Sequence, residues 1–279
     1  MKPTPKKKSA SQNPDERKDR VFDIIVRSYI ETAEPVGSRT ISRRSNLNLS
    51  PASIRNVMAD LEEAGFLKQP HTSAGRVPTD KGYRYWVDRL MERQELDEKE
   101  REWIRKELAK ARTIPALTER ISRVVTELTE TAAMVFFKNL QRASVLDHLL
   151  KELMSVQKIM ETFEENSELS IEGVSRIFEQ PEFQDLGKMR VLLQAFDQKY
   201  DFIRIFVKDM QEKGVQVHIG RENTIRDLDD VSVVAKDCYV AQNAIGSIAA
   251  VGPTRMKYPK VVAVIEFVAD TVTEELKRI

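Results

Sequence analysis

The chain has 279 residues but only one cysteine, Cys238, three histidines, His71, His148 and His218, and 7% aromatic residues. A single cysteine excludes an intramolecular disulfide framework and fits a reducing compartment. The histidines fall in a polar turn, a helical stretch and a strand-like stretch, with no metal-ligand spacing and no Ser/His/Asp or Cys/His arrangement. Cys238 reads as a buried structural thiol rather than a nucleophile or redox sensor. Gly246 and Gly252 do not make a phosphate-binding glycine-rich loop. No catalysis, cofactor or metal is expected. The sequence also lacks a continuous apolar run long enough to cross a bilayer, and its N-terminus is basic and polar without an apolar signal core. No membrane partner is expected, and the protein is placed in the cytoplasm.

With 41% hydrophobic and 32% charged residues, the chain has enough length and apolar content to bury a core in one to three domains. A net charge of +1 is uninformative, but its distribution is not. Residues 1–91 carry 17 lysines and arginines against 11 acidic residues, and the remainder carries 28 against 33. The basic part is thus the N-terminal third, as expected if that third neutralises phosphates.

Residues 1–14 contain Lys6-Lys7-Lys8, three prolines and almost nothing apolar, so they read as a disordered basic tail. The tail either solubilises the chain or trails along phosphates or a minor groove. Residues 15–33 are helical in pattern, with Val21, Ile24, Ile25, Ser28 and Tyr29 along one side. Glu34-Pro35-Val36-Gly37 breaks that helix, and Ser38 caps a second one running through Arg39, Ile41 and Arg43-Arg44. After a turn at residues 46–49 comes the most informative stretch. Ser50 is an N-cap, Pro51 suits the first helical position, and Ile54, Val57, Met58 and Leu61 follow the spacing of a buried stripe. The outward face carries Ser53, Arg55 and Asn56, residue types that read base edges in a major groove. Gly65 ends the helix, residues 66–69 resemble a strand, residues 70–75 form a polar turn, and Arg76-Val77-Pro78 return. Three helices followed by a hairpin is the plan of a winged helix-turn-helix, with the turn as its wing. Arg76, on the wing rim, is a phosphate or minor-groove candidate, and replacing it is expected to weaken binding and flatten its salt dependence. His71 is a wing contact or a turn residue. In the next helix Tyr83, Trp86, Val87 and Leu90 share a face, which reads as core rather than as a stacking platform for bases.

Residues 92–112 are densely charged, with Leu96, Trp103, Ile104 and Leu108 as their few apolar members, and read as a solvated helical connector. Residues 116–131 resume an amphipathic helix through Leu117, Ile121, Val124, Val125 and Leu128, a stripe suited equally to packing within the monomer or against a partner subunit. Residues 132–137 read as one strand, and residues 146–163 as a long helix of core or dimer-contact type. Residues 169–178 read as a short helix stopped near Gln180-Pro181, and residues 185–210 as one or two more helices. Residues 215–220, 231–235 and 244–252 read as strands of one sheet, closed by a helix over residues 258–277.

Several stretches resemble the heat-inducible transcription repressors of the HrcA family. They are Glu34-Pro35-Val36-Gly37-Ser38-Arg39-Thr40; Ser50-Pro51-Ala52-Ser53-Ile54-Arg55-Asn56 with Met58-Ala59-Asp60-Leu61-Glu62; and residues 69–84, including Gln69-Pro70-His71-Thr72-Ser73-Ala74-Gly75-Arg76. Phe178-Glu179-Gln180-Pro181-Glu182-Phe183 and Val251-Gly252-Pro253-Thr254-Arg255-Met256 belong to the same resemblance. It implies an α+β chain with an N-terminal winged helix-turn-helix domain, a helical dimerisation segment and a C-terminal GAF-like α/β domain. On that plan residues 15–91 bind DNA, 92–131 connect, 132–210 form a helical dimerisation insert with one possible strand, and 211–279 form the GAF-like sheet and closing helix. This sequence departs from the family in having room for only one strand between residues 131 and 143, so its GAF-like domain is expected to be shortened.

The resemblance further implies a homodimer on double-stranded DNA, bound at the inverted-repeat CIRCE operator of chaperone genes and modulated by the GroE chaperonin. The protein would be at the nucleoid when bound. Carried over by position, the DNA-binding residues are Ser38, Arg39 and Thr40; Ser50, Ala52, Ser53, Arg55 and Asn56; and His71, Thr72, Ser73 and Arg76. Two alternatives stand beside this reading. One is a regulator switched by a small molecule in the GAF-like domain, for which no residue identifies a ligand. The other is a winged helix used for protein contact, against which the outward Arg55, Asn56 and Arg76 argue.

Overall fold

A computed structural model describes residues 14–44, 47, 49–72, 74–138, 167–197, 214–223, 229–240 and 243–277. The chain divides into two units, Met1–Met91 and Glu92–Ile279. Residues 1–13 of the expected tail, and the helix expected over residues 146–163, lie outside the described residues.

The first unit begins with α1 (Pro14–Thr32), which buries Val21, Phe22, Ile25, Val26 and Ile30. It ends at Ala33 in the left-handed region, φ 56°, with Thr32 Oγ1 turned back onto the carbonyl of Ser28. In α2 (Ser38–Arg44) the buried residue is Ile41. The Gly37 carbonyl accepts the amides of Thr40 and Ile41, so Gly37 is the cap and Ser38, the expected cap, stands at the first helical position. In α3 (Pro51–Glu63) the buried residues are Ile54, Met58 and Leu61. Each contributes about 1.5–3 kcal/mol of apolar burial. Strands β1 (Leu67–Lys68) and β2 (Val77–Pro78) pair antiparallel. Helix α4 (Asp80–Tyr85) runs into a π turn, Trp86–Leu90. Tyr83 and Trp86 are buried, the Trp86 indole donates to Asp23 at 2.7 Å, and the Tyr85 hydroxyl donates to Asp19 at 2.8 Å. Tyr83 and Trp86 are core, and Tyr85 and Trp86 are tied to α1 by their polar ends.

The second unit is built on a five-stranded antiparallel sheet in the order β4-β3-β7-β6-β5. Its strands are β3 (Ala132–Lys138), β4 (Ser167–Glu172), β5 (Gln216–Ile219), β6 (Val231–Val240) and β7 (Asn243–Pro253). On one face pack α6 (Ile114–Thr129) and the closing helix α9 (Tyr258–Glu275), whose buried residues include Val261, Val264, Ile265 and Val268, and α5 (Glu98–Leu108) packs on these two helices. On the other face Ile177 from α7 (Val174–Phe178), Phe183 from a 3-10 turn (Pro181–Phe183), and Leu192 and Phe196 from α8 (Leu186–Asp197) pack on Met134, Phe136, Val233 and Val251. Both faces are therefore covered, which is why residues 132–137 are a continuous apolar run rather than an alternating one.

Three expectations change here. Residues 167–172 are strand, not the start of a helix: Leu169 and Ile171 alternate with polar residues, and Gly173, at φ 73°, turns the chain sharply into α7. Residues 132–172 thus give the sheet two strands instead of one. The charged α5 is no solvated connector. Its Ile104 and Leu108 are buried, Glu100 pairs with Lys260, and the guanidinium groups of Arg101 and Arg105 lie 5.7 and 5.2 Å from the Phe267 ring. Nor does α6 connect: Leu117, Ile121, Val124 and Val125 are buried against the sheet and α9 within this unit. Its buried neighbour Glu107 accepts from Lys110 and Arg120 at 2.5 Å each, with Arg123 at 3.7 Å.

Candidate nucleic-acid interface

Ser50 caps α3 as its sequence requires, its Oγ accepting the amide of Ser53 at 3.1 Å, with Pro51 behind it. The Ser53 hydroxyl lies 3.0 Å from that of Ser50, so Ser53, half-buried, belongs to the cap as much as to the outward face. Burying Ile54, Met58 and Leu61 turns Ala52, Arg55, Asn56 and Ala59 to solvent. Arg55 and Asn56 make no hydrogen bond or ion pair among the described residues and are free to engage a ligand. Acidic residues enter α3 only in its second half, at Asp60, Glu62 and Glu63. Phosphates would be repelled there, so the N-terminal half is the one fit to approach a polyanion, the geometry in which recognition helices present base-reading residues.

Helix α2 packs against α1 and α3, and Ser42 Oγ donates to the carbonyl of Leu49 to hold the turn between α2 and α3. This brings the Ser38-Arg39-Thr40 segment beside the α3 elements, with Arg39 and Thr40 exposed and Ser38 half-buried. Arg43 and Arg44 are exposed, as is Lys68 on β1, and none has an ion-pair partner among the described residues. None of the three is among the expected site residues, although their exposure makes them candidates. The readable signal was the pair of adjacent cations closing a short helix that has no acidic residue.

In the wing, His71 and Thr72 are exposed, and Ser73 lies outside the described residues. The Gln69 amide donates to the carbonyls of Thr72 and Ala74, each at 3.0 Å, and braces the turn from within. At the wing root Arg76 exchanges two backbone hydrogen bonds of 2.9 Å with Val36, which joins the segment between α1 and α2 to the hairpin. The guanidinium expected at the wing rim is not free: it is held by Glu62 of α3, Nε at 2.9 Å and Nη2 at 2.8 Å.

In the second unit the expected histidine and cysteine positions can be placed in turn. His218 is half-buried in β5, and His148 lies outside the described residues. Burial pushes the Cys238 thiol above its ordinary pKa, and the side chain is fully enclosed. Among the described residues no group of three histidine, cysteine or acidic side chains is placed to hold a metal ion, and no helix is long and apolar enough to cross a membrane. Arg255, in one of the family-like motifs, pairs with Glu182 and donates to Gln180 at 3.0 Å in the other, so these two motifs form one structural clamp on the sheet.

A family model described as the HrcA protein C terminal domain matches residues 96–262. The chain is 34% identical to the heat-inducible transcription repressor HrcA of Pelotomaculum thermopropionicum, covering 95% of this chain and 97% of the relative. It is 32% identical to the protein of the same name from Geobacter sulfurreducens, covering 94% and 98%. The first alignment runs over 339 positions against a chain of 279 residues, so the relative carries internal residues that this chain lacks, in keeping with the shortening read from the sequence. A crystal structure of a hypothetical protein superposes with a TM-score of 0.70 at 22% identity, over 94% of this chain and 98% of that one, and shares its fold. With the family model matched over more than half its length, and relatives above 30% identity along nearly all of it, the chain belongs to the HrcA family.

Proposed function

We infer that the protein is a sequence-specific DNA-binding repressor of heat-inducible chaperone genes. It acts as a homodimer on an inverted-repeat operator of the CIRCE type, with two copies of α3 in major grooves on one DNA face and half-site spacing set by the dimer. The GroE chaperonin keeps it competent, so repression is relieved when heat fills the chaperonin with unfolded protein. The observation that carries the reading is the outward face of α3, where Arg55 and Asn56 stand exposed, with no partner among the described residues, ahead of the helix's acidic half. The relatives' name, heat-inducible transcription repressor, supports the gene class.

In this reading Ala52, Ser53, Arg55 and Asn56 face base edges, with Ser50 holding the N-terminus of α3 at the phosphates. Ser38, Arg39 and Thr40, joined by Arg43, Arg44 and Lys68, engage the backbone, and His71, Thr72 and Ser73 carry the wing. The test is binding of the full chain to a CIRCE duplex and to a scrambled duplex of equal composition, with and without chaperonin and across temperature. Selective binding that chaperonin strengthens and heat weakens is expected. Equal affinity for both duplexes would rule out the repressor reading, and selectivity indifferent to chaperonin and temperature would favour a ligand-switched regulator.

A further inference from the structure

The ion pair of Glu62 and Arg76 lies where the last turn of α3 meets the root of the wing. Two donors of one guanidinium converge on a single carboxylate oxygen, Glu62 Oε2, at 2.8 and 2.9 Å. The side chains are 35% and 22% exposed, so the pair is partly withdrawn from solvent. The backbone of Arg76 is fixed separately by its two hydrogen bonds to Val36. Beside it Gly75 fits so tightly that a Cβ would stand 2.5 Å from the Val36 carbonyl carbon and oxygen. A guanidinium anchored in this way reaches a phosphate only by leaving its carboxylate, and a carboxylate left alone there would repel the same phosphate.

We propose that Glu62 and Arg76 form a strut that sets the distance and angle between the wing and α3, so that Arg76 is a positioning residue and not a DNA contact. The proposal rests on the DNA-binding reading above. A wing already fixed in the free protein loses little conformational freedom on binding, and that preorganisation favours the sequence whose grooves match its placement. A charge-assisted pair with two donors fixes direction as well as distance, which a single apolar contact would not. The phosphate contacts then fall to Arg39, Arg43, Arg44 and Lys68, which are exposed and have no ion-pair partner among the described residues.

The test compares the full-length chain with Glu62→Gln and with the exchange Glu62→Arg/Arg76→Glu, each first checked for folding by its melting curve. Affinities are measured for a CIRCE duplex and a scrambled duplex at several salt concentrations. A strut predicts that Glu62→Gln loses about tenfold or more in affinity for the CIRCE duplex and little for the scrambled one. The slope of log affinity on log salt stays as in the wild type, because no phosphate contact has been removed. The exchange restores most of the lost selectivity. A phosphate contact predicts the opposite sign: Glu62→Gln frees Arg76, both duplexes bind more tightly, the slope steepens by roughly 0.9 for each new phosphate contact, and the exchange binds worst of all. That outcome would overturn the strut. If the exchange fails to fold, the sign of the Glu62→Gln effect decides alone. A wild-type protein that does not tell the two duplexes apart would overturn the DNA-binding reading and the strut with it.

Discussion

At the scale of single residues, the proposed function puts sequence preference on the outward Arg55 and Asn56. Replacing either by alanine is expected to cost about 1–3 kcal/mol for each lost bidentate base contact and to relax preference at the matching base pair. Competition binding against duplexes changed one base pair at a time measures both effects. These two residues were legible in the sequence because the buried stripe of α3 fixes which positions face outward. Arg76 was legible only as a cation near a turn. Its partner Glu62 is 14 positions away, and no periodicity links a helix end to a hairpin root. Glu107 makes a prediction about pH. The hydrogen bond from Lys110, with Arg120 and Arg123 alongside, holds its carboxyl below the ordinary glutamate value. A lowered folded-state pKa gives stability that is present above the unfolded value, near about 4.3, and is lost as pH falls through the folded one. Glu107→Gln should therefore lower the melting temperature at pH 7, by an amount equivalent to about 1–2 kcal/mol with its cations partly in solvent. Melting curves of the variant and wild type should draw together as pH falls below that unfolded value.

At the scale of elements, caps and breakers were the readable signals. Ser50-Pro51 opens α3 where the sequence says it should, and Gly65, at φ 76°, follows its end. Ser50→Ala is expected to cost about 1 kcal/mol, seen as a lower melting temperature of the full chain. Gly75→Ala is a harsher change, because its Cβ must displace the Val36 backbone. We expect about 1–3 kcal/mol of destabilisation from such overpacking, together with weaker CIRCE binding, from melting and binding measured on one preparation. Two elements were misread for physical reasons. In residues 167–172 the alternation of Leu169 and Ile171 spans too few residues to outweigh the helical spacing that follows it in α7. The charges of α5 looked solvated because composition cannot show that Arg101 and Arg105 lay their guanidinium groups on the Phe267 ring, or that Glu100 meets Lys260.

At the scale of the whole molecule, the charge split between the N-terminal third and the rest was visible before any coordinate, and the unit boundary after Met91 falls at the same place. If the basic unit engages phosphates as proposed, raising salt from 50 to 200 mM should lower operator affinity by roughly 10³–10⁵ for six to ten phosphate contacts. Titrations at several ionic strengths give that slope directly. The antiparallel sheet was only half legible, since strands buried on both faces lose the alternation that marks strands with one wet face. Its outer strand β4 was hidden by a misassigned helix.

The lone thiol described at the outset has a practical consequence. Cys238 is fully enclosed in β6 and burial raises its pKa, so the reactive thiolate forms only when the sheet opens. The rate at which an alkylating reagent consumes this one sulfur, followed as temperature rises, then counts openings of the second unit without any introduced label. Compared with the temperature at which a CIRCE duplex is released, if the chain binds DNA as proposed, it tells whether heat opens the sheet before or after that release.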